Sequence, residues 1–138
     1  MNKFALVKNR FARGEKQIFN LVIRDTDQFE EFENRYNRKQ YLSELKTIAA
    51  RIALISQGRR LAAGQVRKIK GHEKAWEIKT RNLRLYYCNI DGYDIILCRG
   101  GQKKNQKSDI AKLRRIIREI KQQISTNGKL QIRNKQGR

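Results

Sequence analysis

The first half of the chain carries an apolar run followed by a long stretch of helical periodicity. Residues 17–23 are mostly apolar, which predicts a first, largely buried strand. Apolar side chains then recur at steps of three and four, so residues 27–57 are expected to form two helices or one bent helix. Asp27 followed by Glu30 suits the start of a helix, and Gly58 suits its end.

The second half changes from a helical to an alternating pattern, which is typical of strands. Short strands are predicted from Val66 to Gly71 and at residues 76–80. Asp91-Gly92 is a turn signal between two further runs, so residues 83–89 and 93–98 are expected to form a hairpin. Its second strand contains the most apolar run of the chain, as expected for the centre of a sheet.

A last amphipathic helix and two basic ends complete the pattern. Gly100-Gly101 opens a polar segment, and Ser108 is the predicted N-cap of the helix that follows. Residues 125–138 are polar and basic and are predicted to be a disordered tail. Residues 1–14 are expected to form a basic arm or an extra edge strand, which leaves residues 15–124 as a single domain. The order of elements predicts an α+β fold, with one helical layer on a mostly antiparallel sheet.

Charge adds the strongest functional indication. The chain contains 33 Lys+Arg against 13 Asp+Glu, a formal net charge of +20. Most of the excess lies after residue 63, where 20 basic and 6 acidic residues are found. Such a field attracts nucleic acid, an anionic membrane surface or an acidic protein, and a basic footprint is most typical of nucleic-acid binding.

Other residues exclude several classes of protein. Cys88 and Cys98 have neither the spacing nor the histidines of a zinc site, and both lie in apolar runs, so buried free thiols are expected. No apolar stretch approaches the length of a membrane span, and no signal-peptide pattern occurs at the N-terminus. The expected location is cytoplasmic, with no membrane partner.

Two predicted strands place candidate chemistry on one face of the sheet. If Trp76, Ile78 and the apolar residues of the next strand face the helices, alternation turns four side chains outward, namely Glu77, Lys79, Arg84 and Tyr86. The loop after the central strand would add Lys103, Lys104 and Lys107. The expected result is a concave basic surface with one aromatic ring and one carboxylate.

This set of residue types suits cleavage of RNA by its own 2′-hydroxyl. Glu77 could take the hydroxyl proton, Arg84 could stabilise the phosphorane, and Lys79 could shuttle a proton, without a metal. Tyr86 could stack on a base. The same pattern is also typical of a solvated face with cross-strand charge pairs, and Trp76 is more typical of a core residue than of a stacking platform.

Five segments together resemble a known toxin superfamily. They are Val66 to Gly71, Trp76-Glu77-Ile78-Lys79, Arg84-Leu85-Tyr86-Tyr87, Ile95-Ile96-Leu97 and Gly101 to Lys107. They occur in the order and at the spacing of the RelE/ParE/HigB toxin superfamily, and look closest to its HigB-like (phage Gp49-like) branch. The resemblance covers about residues 17–122.

The resemblance implies a fold and an activity. The fold would have two N-terminal helices on a curved, mostly antiparallel sheet, followed by a C-terminal helix. The protein would be the toxin of a type II toxin–antitoxin system, held inactive by a cognate antitoxin protein. It would enter the ribosomal A site and cut mRNA there as a metal-independent endoribonuclease without a cofactor.

The resemblance also assigns residues. Lys79 and Arg84 match the best known basic sheet residues of the family, and Lys103 or Lys104 matches the basic residue after the central strand. The predicted catalytic set is Glu77, Lys79, Arg84, Tyr86 and Lys104. The residues expected to contact RNA or the ribosome are Lys68, Lys70, His72, Arg81, Arg99, Lys103 and Lys107.

The chain departs from the family pattern at two points. Many members carry arginine where this chain has Lys79, so bidentate phosphate contact is lost there. Some members use a tyrosine near the C-terminal end, but no tyrosine follows Tyr93, so Tyr86 or a lysine would have to act. Two other functions stay open, a ParE-like inhibitor of DNA gyrase and a non-catalytic RNA-binding module, because a shared fold does not determine function.

Overall fold

The computed structural model describes residues 2–71 and 74–134, which form a sheet flanked by helices. The strands are β1 (Phe4–Lys8), β2 (Ile18–Ile23), β3 (Thr26–Asp27), β4 (Val66–Lys68), β5 (Ala75–Lys79), β6 (Leu83–Ile90), β7 (Tyr93–Gln102) and β8 (Gln131–Arg133). The helices are α1 (Gln28–Arg35), α2 (Leu42–Ser56) and α3 (Gln106–Asn127), with short 3₁₀ turns at Lys39–Tyr41 and Lys103–Asn105.

The sheet has the order β4-β5-β6-β7-β2-β1-β8, and β3 pairs with β2 beside this path. Among the described strands, only β2 with β7 and β1 with β8 pair in parallel, so the predicted mostly antiparallel α+β fold is confirmed. Strand β7 lies at the centre, as its apolar run predicts. Strand β1 lies between β2 and β8, which makes the N-terminal segment part of the sheet rather than a loose arm.

The capping residue and the glycines predicted from the sequence lie at the ends of helices and in a turn of the structure. The Asp27 carboxylate accepts hydrogen bonds from the backbone N–H groups of Phe29 and Glu30, so α1 begins where the capping pattern predicts. Gly58 adopts φ 77° just beyond α2, and Gly92 adopts φ 92° in the hairpin turn. Both values lie in the left-handed region that favours glycine.

Three predictions about the C-terminal half are wrong. Strand β7 continues through Gly100 and Gly101 to Gln102, and α3 begins at Gln106, so Ser108 is not its N-cap. The predicted disordered tail is helical to Asn127 and then forms β8 beside β1. Leu130 is buried there, and its backbone N–H donates to the Tyr93 hydroxyl at 2.7 Å. Residues 135–138 of that tail lie outside the described residues.

The helices form two layers, which corrects the prediction of a single layer with two N-terminal helices. Strands β1, β2 and β3 precede the first helix. Helices α1 and α2 cover one face of the sheet, where Phe32, Ile48 and Ile52 pack on apolar strand residues. Helix α3 covers the opposite face through Leu113, Ile117 and other apolar residues. An amphipathic pattern shows which side of a helix is buried but not which face of a sheet receives it.

The predicted free thiols are confirmed. Cys88 and Cys98 are unbridged and buried, with their Sγ atoms 3.6 Å apart. The hydrogen bond to Cys88, together with burial, raises the pKa of the Cys98 thiol. No helix in the described ranges is long and apolar enough to cross a membrane.

Close packing of α1 on β7 requires a glycine at position 100. A Cβ atom at this position would overlap the ring of Phe32, which is itself buried. We therefore expect Gly100→Ala to lower the free energy of unfolding by about 1–3 kcal/mol, because the ring or the helix must shift. Urea denaturation followed by circular dichroism measures this change.

Gly64→Ala is the matched control, since a Cβ atom there meets nothing within 4 Å. Its effect should stay within about 1 kcal/mol and can be stabilising, because alanine reduces the entropy of the unfolded chain. Equal effects of the two substitutions would show that the contact between α1 and β7 is not close packed.

Candidate functional site

Glu77, Arg84 and Tyr86 share one face of the sheet, as alternation predicts. Glu77 pairs with Tyr86 across β5 and β6, and Tyr86 pairs with Arg99 of β7. This is the face covered by α3, so Glu77 is 1%, Arg84 4% and Tyr86 0% exposed. The prediction that they form an outward-facing surface is therefore wrong for these three residues.

Two carboxylates are buried beneath the first turns of α3. Glu77 accepts hydrogen bonds from Gln106 Nε2 at 2.6 Å and forms an ion pair with Arg67 at 2.9 Å. Asp109 forms an ion pair with Arg99 at 3.0 Å. A buried carboxylate is tolerated only when it is paired and hydrogen-bonded, so these contacts fix where α3 begins on the sheet.

Asp109 also requires a glycine opposite it. A Cβ atom at Gly101 would overlap the Asp109 carboxylate, so the bare backbone of β7 lets the start of α3 approach the strand closely. Glu77, Arg84, Arg99 and Asp109 are called the α3 charge cluster below. The cluster holds two carboxylates and two guanidinium groups, and Arg67 adds a third guanidinium through its ion pair with Glu77.

Tyr86 lies within the electrostatic reach of all four members of the α3 charge cluster. Desolvation raises the pKa of its hydroxyl, and Glu77 and Asp109 raise it further, while Arg84 and Arg99 oppose the shift. The hydroxyl therefore stays protonated at physiological pH. Within the described chain it has no hydrogen-bond partner, and its buried ring does not offer a face to a nucleobase.

Arg84 and Glu44 hold the turn between β5 and β6. The Arg84 guanidinium donates from Nη1 to the carbonyls of Thr80 and Leu83 at 2.6 and 2.8 Å. The Glu44 carboxylate of α2 accepts from the backbone N–H groups of Asn82 and Leu83 at 2.7 and 3.2 Å, and also from the Thr80 hydroxyl. Arg84 therefore has a structural role that its strand position did not reveal.

A basic groove opens beside Glu77, between β4 and α3. It encloses about 700 Å³ and is called the α3 groove; its lining residues are Arg67, Lys68, Ile69, Lys70, Gly71, Glu77, Ile110 and Arg114. Arg114 Nη2 donates to the carbonyl of Lys70 at 3.1 Å and so links the two walls. The groove places four cations around one carboxylate, a composition that suits a phosphodiester.

The remaining predicted residues are spread along one end of the sheet. Arg81 is exposed in the turn after β5, and Lys79 is half-buried opposite Arg84. The exposed lysines at the start of α3 are Lys103, Lys104 and Lys107. The backbone N–H of Lys103 donates to the carbonyl of Asn82 at 2.8 Å, which brings this segment beside the turn. His72 lies outside the described residues.

The structure adds four residues that the sequence reading missed, namely Arg67, Gln106, Asp109 and Arg114. The sequence does indicate a special role for Asp109, because it is the one acidic residue between Asp94 and Glu119. A lone carboxylate in so basic a segment points to a buried or paired role. Gln106 and Arg114 resemble ordinary polar helix positions and carry no such signal. In the part of the chain that the structure describes, no three potential metal-ligating side chains come together.

Comparison with known proteins gives one match. The family model for the phage derived protein Gp49-like family (DUF891) matches residues 39–121. The matched region contains α2, strands β4 to β7 and most of α3, and therefore both walls of the α3 groove. No curated protein and no solved structure matches the chain.

The turn between β5 and β6 should be sensitive to acid. Partial burial of Glu44 opposes its ionisation, but the hydrogen bonds from Thr80, Asn82 and Leu83 prevail and lower its pKa. Its stabilising effect is thus complete above the unfolded-state pKa of about 4.3 and is lost as the pH falls through the lower folded-state pKa. We expect Glu44→Gln to cost about 1–2 kcal/mol at pH 7, and progressively less below about pH 4.

Chemical denaturation of the wild type and Glu44→Gln from pH 7 to pH 3 measures this difference. Glu31→Gln is the control, because Glu31 forms an exposed ion pair with Arg35 within α1 and should change stability by less than about 0.5 kcal/mol. A Glu44→Gln penalty that is absent at pH 7, or that grows in acid, would contradict the assigned role.

Proposed function

The chain belongs to the phage-derived Gp49-like family, and on this premise we propose that it is a toxin that cuts messenger RNA on the ribosome. The family is RelE/HigB-like and is associated with the toxins of toxin–antitoxin systems. A toxin role and an antitoxin partner follow from that association. Ribosome binding and metal-independent endoribonuclease activity form the finer part of the proposal.

The α3 groove is the observation that carries the enzymatic part. Its cations come from two elements, with Arg67, Lys68 and Lys70 on the strand side and Arg114 on the helix. The Arg114 contact with the carbonyl of Lys70 holds these walls together. A cationic groove with a carboxylate in its wall combines phosphate binding with a group that can accept a proton.

The proposed reaction begins with an exchange of partners at Arg67. Its side chain is 55% exposed, whereas that of Glu77 is 2% exposed. An RNA phosphate entering the groove competes for the Arg67 guanidinium and releases Oε2 of Glu77, while Gln106 continues to hold Oε1. The freed carboxylate then lies beside the bound phosphodiester.

The chemistry then follows the ordinary course of RNA transesterification. Glu77 takes the proton of the 2′-hydroxyl, the 2′-oxygen forms a bond to phosphorus, and the bond from phosphorus to the 5′-oxygen breaks. Arg67 and Arg114 stabilise the charge of the phosphorane, and a lysine of the groove supplies the proton to the leaving oxygen. The products are a 2′,3′-cyclic phosphate and a 5′-hydroxyl end.

Other residues of the predicted catalytic set receive different roles. Arg84 is a positioning residue that fixes the turn between β5 and β6. Tyr86 stays under α3 as a neutral hydroxyl within the α3 charge cluster. Lys79 and Lys104 are assigned to phosphate contacts of mRNA or ribosomal RNA, as are the exposed Arg81, Lys103 and Lys107.

A non-catalytic RNA-binding module is the second candidate function. The observation that favours it is that both Glu77 oxygens are engaged, by Gln106 and Arg67, in a residue that is almost fully buried. If Arg67 does not leave, the groove binds phosphate without a free base.

The test is induced expression of the wild type beside Glu77→Gln and Arg67→Ala, with primer extension on an abundant mRNA. The wild type should stop growth and create codon-phased 5′ ends that carry a 5′-hydroxyl. Glu77→Gln removes the general base and should reduce the rate of cleavage by about 100-fold or more. Lys46→Ala, an exposed change on α2, removes one positive charge away from the groove and should cleave like the wild type.

Each outcome decides between the candidates. Growth arrest with intact mRNA would contradict the nuclease function and favour inhibition of DNA gyrase. RNA binding without growth arrest or cleavage would favour the binding module. Arg67→Ala removes the cation that pairs with a buried carboxylate, so the circular dichroism of both variants must match that of the wild type. Arg114→Ala, an exposed change in the same groove, replaces a variant that fails to fold. Full cleavage by both folded variants would overturn the assignment of the α3 groove.

A further inference from the structure

A second basic cavity lies on the opposite face of the sheet, where Trp76 of β5 meets Tyr87 of β6. The two rings stack with centroids 5.5 Å apart and an angle of 15° between their planes. Trp76 is only half-buried, and its indole N–H has no acceptor within the described residues. A half-exposed indole keeps part of its apolar ring and its N–H group accessible to a ligand.

The cavity around this stack has the size of a small-ligand site. It encloses about 480 Å³ and is called the Trp76 pocket; its lining includes Trp76, Tyr87, Lys16, Arg59, Arg60 and Lys68. Ligand pockets commonly enclose about 300–1,000 Å³. The volume admits one nucleobase with its ribose and phosphate, and it does not admit a duplex.

Among the described residues, the cations of the pocket have no carboxylate partners. Lys16, Arg59, Arg60 and Lys68 form no ion pair within the described part of the chain. The carboxylate in the wall, Asp94, accepts a hydrogen bond from the backbone N–H of Gln17 at 2.8 Å. An anionic ligand would therefore not need to displace an existing ion pair.

The rim of the pocket is fixed by contacts between two loops. The backbone N–H of Lys16 donates to the carbonyl of Ser56 at 3.0 Å, and the N–H of Arg13 donates to its hydroxyl at 2.9 Å. The N–H of Arg59 donates to the carbonyl of Leu54 at 3.0 Å. Both loops are thus tied to the end of α2, so Lys16 and Arg59 are held on the same rim.

We propose that the Trp76 pocket binds single-stranded RNA, with one base stacked on the indole and its flanking phosphates on Arg59, Arg60 and Lys68. Single strands expose base faces that aromatic side chains can stack on, and stacking combined with a cationic rim is the usual basis of such binding. The site lies on the other face of the sheet from the α3 groove and shares Lys68 of the edge strand with it. RNA binding at this site requires no cleavage.

The chain has one tryptophan, so its fluorescence reports on this pocket alone. Purified full-length protein is titrated with a six-nucleotide oligoadenylate and with an abasic ribose-phosphate oligomer of equal length. We expect saturable quenching with the RNA and little change with the abasic oligomer, because only a base can stack on the indole. Quenching of equal size by both would overturn the stacking contact.

Charge-matched variants separate this pocket from the general positive field. Arg59→Ala with Arg60→Ala should weaken RNA binding about 10-fold and reduce the slope of log K against log salt by about 1.4. Arg115→Ala with Arg118→Ala removes two exposed cations of α3 and should weaken it less than about 2-fold. Equal losses of RNA affinity in the two double variants would overturn the proposal.

A final pair of measurements fixes the class of ligand. Trp76→Ala should weaken binding of a fluorescently labelled oligoadenylate about 10-fold by anisotropy, with unchanged circular dichroism. A hexameric polyglutamate should not quench the tryptophan, and quenching as strong as with RNA would indicate an acidic protein instead. These results are independent of the nuclease test, since Glu77 and Arg67 are unchanged in every variant.

Discussion

Burial of two carboxylates beneath α3 is the constraint on which this structure depends. Glu77 and Asp109 can leave water only because Arg67, Gln106 and Arg99 meet them. Those contacts set the start of α3 over β7, where Gly101 leaves room for the Asp109 side chain. The position of α3 in turn places Arg114 opposite Lys70 and so creates the α3 groove. An apolar helix face alone would hold α3 on the sheet without fixing this register.

The same constraint shapes how the chain presents its charge. Acidic residues are few, and two of them, Glu77 and Asp109, are buried and paired in the α3 charge cluster. Few carboxylates therefore remain to pair with the cations around the groove and the Trp76 pocket, which face solvent. The pocket and the groove lie on opposite faces of the sheet and share the edge strand β4, whose Lys68 lines both cavities. An RNA strand that passes over this edge could contact the two sites together. Membership of a toxin-type family is compatible with the proposal that this cationic surface binds RNA.

The sequence predicts the features that depend on local periodicity, such as helix ends and turns. It does not predict the burial and pairing of side chains whose partners lie far away in the chain. The capping of α1 by Asp27 and the hairpin turn at Gly92 follow from contacts within a few residues. Strand alternation also placed Glu77, Arg84 and Tyr86 on one face correctly. Their burial could not be predicted, because a charged residue in a strand looks exposed until its partners are known. The partners of Glu77 are Arg67 and Gln106, which lie on other elements. The pairing of β8 with β1 joins the two ends of the chain and has only a weak apolar pattern behind it.

Native-state hydrogen exchange of Asp109→Asn beside the wild type tests the central constraint most directly. The substitution keeps the side-chain shape and leaves Arg99, whose side chain is only 20% exposed, without its anion, at a cost of about 3 kcal/mol. The account predicts that protected amides of α3 exchange about 100-fold faster, while those of α1 and α2 on the other face change much less. Protection of α3 equal to that of the wild type would contradict the claim that the buried carboxylates hold this helix in place.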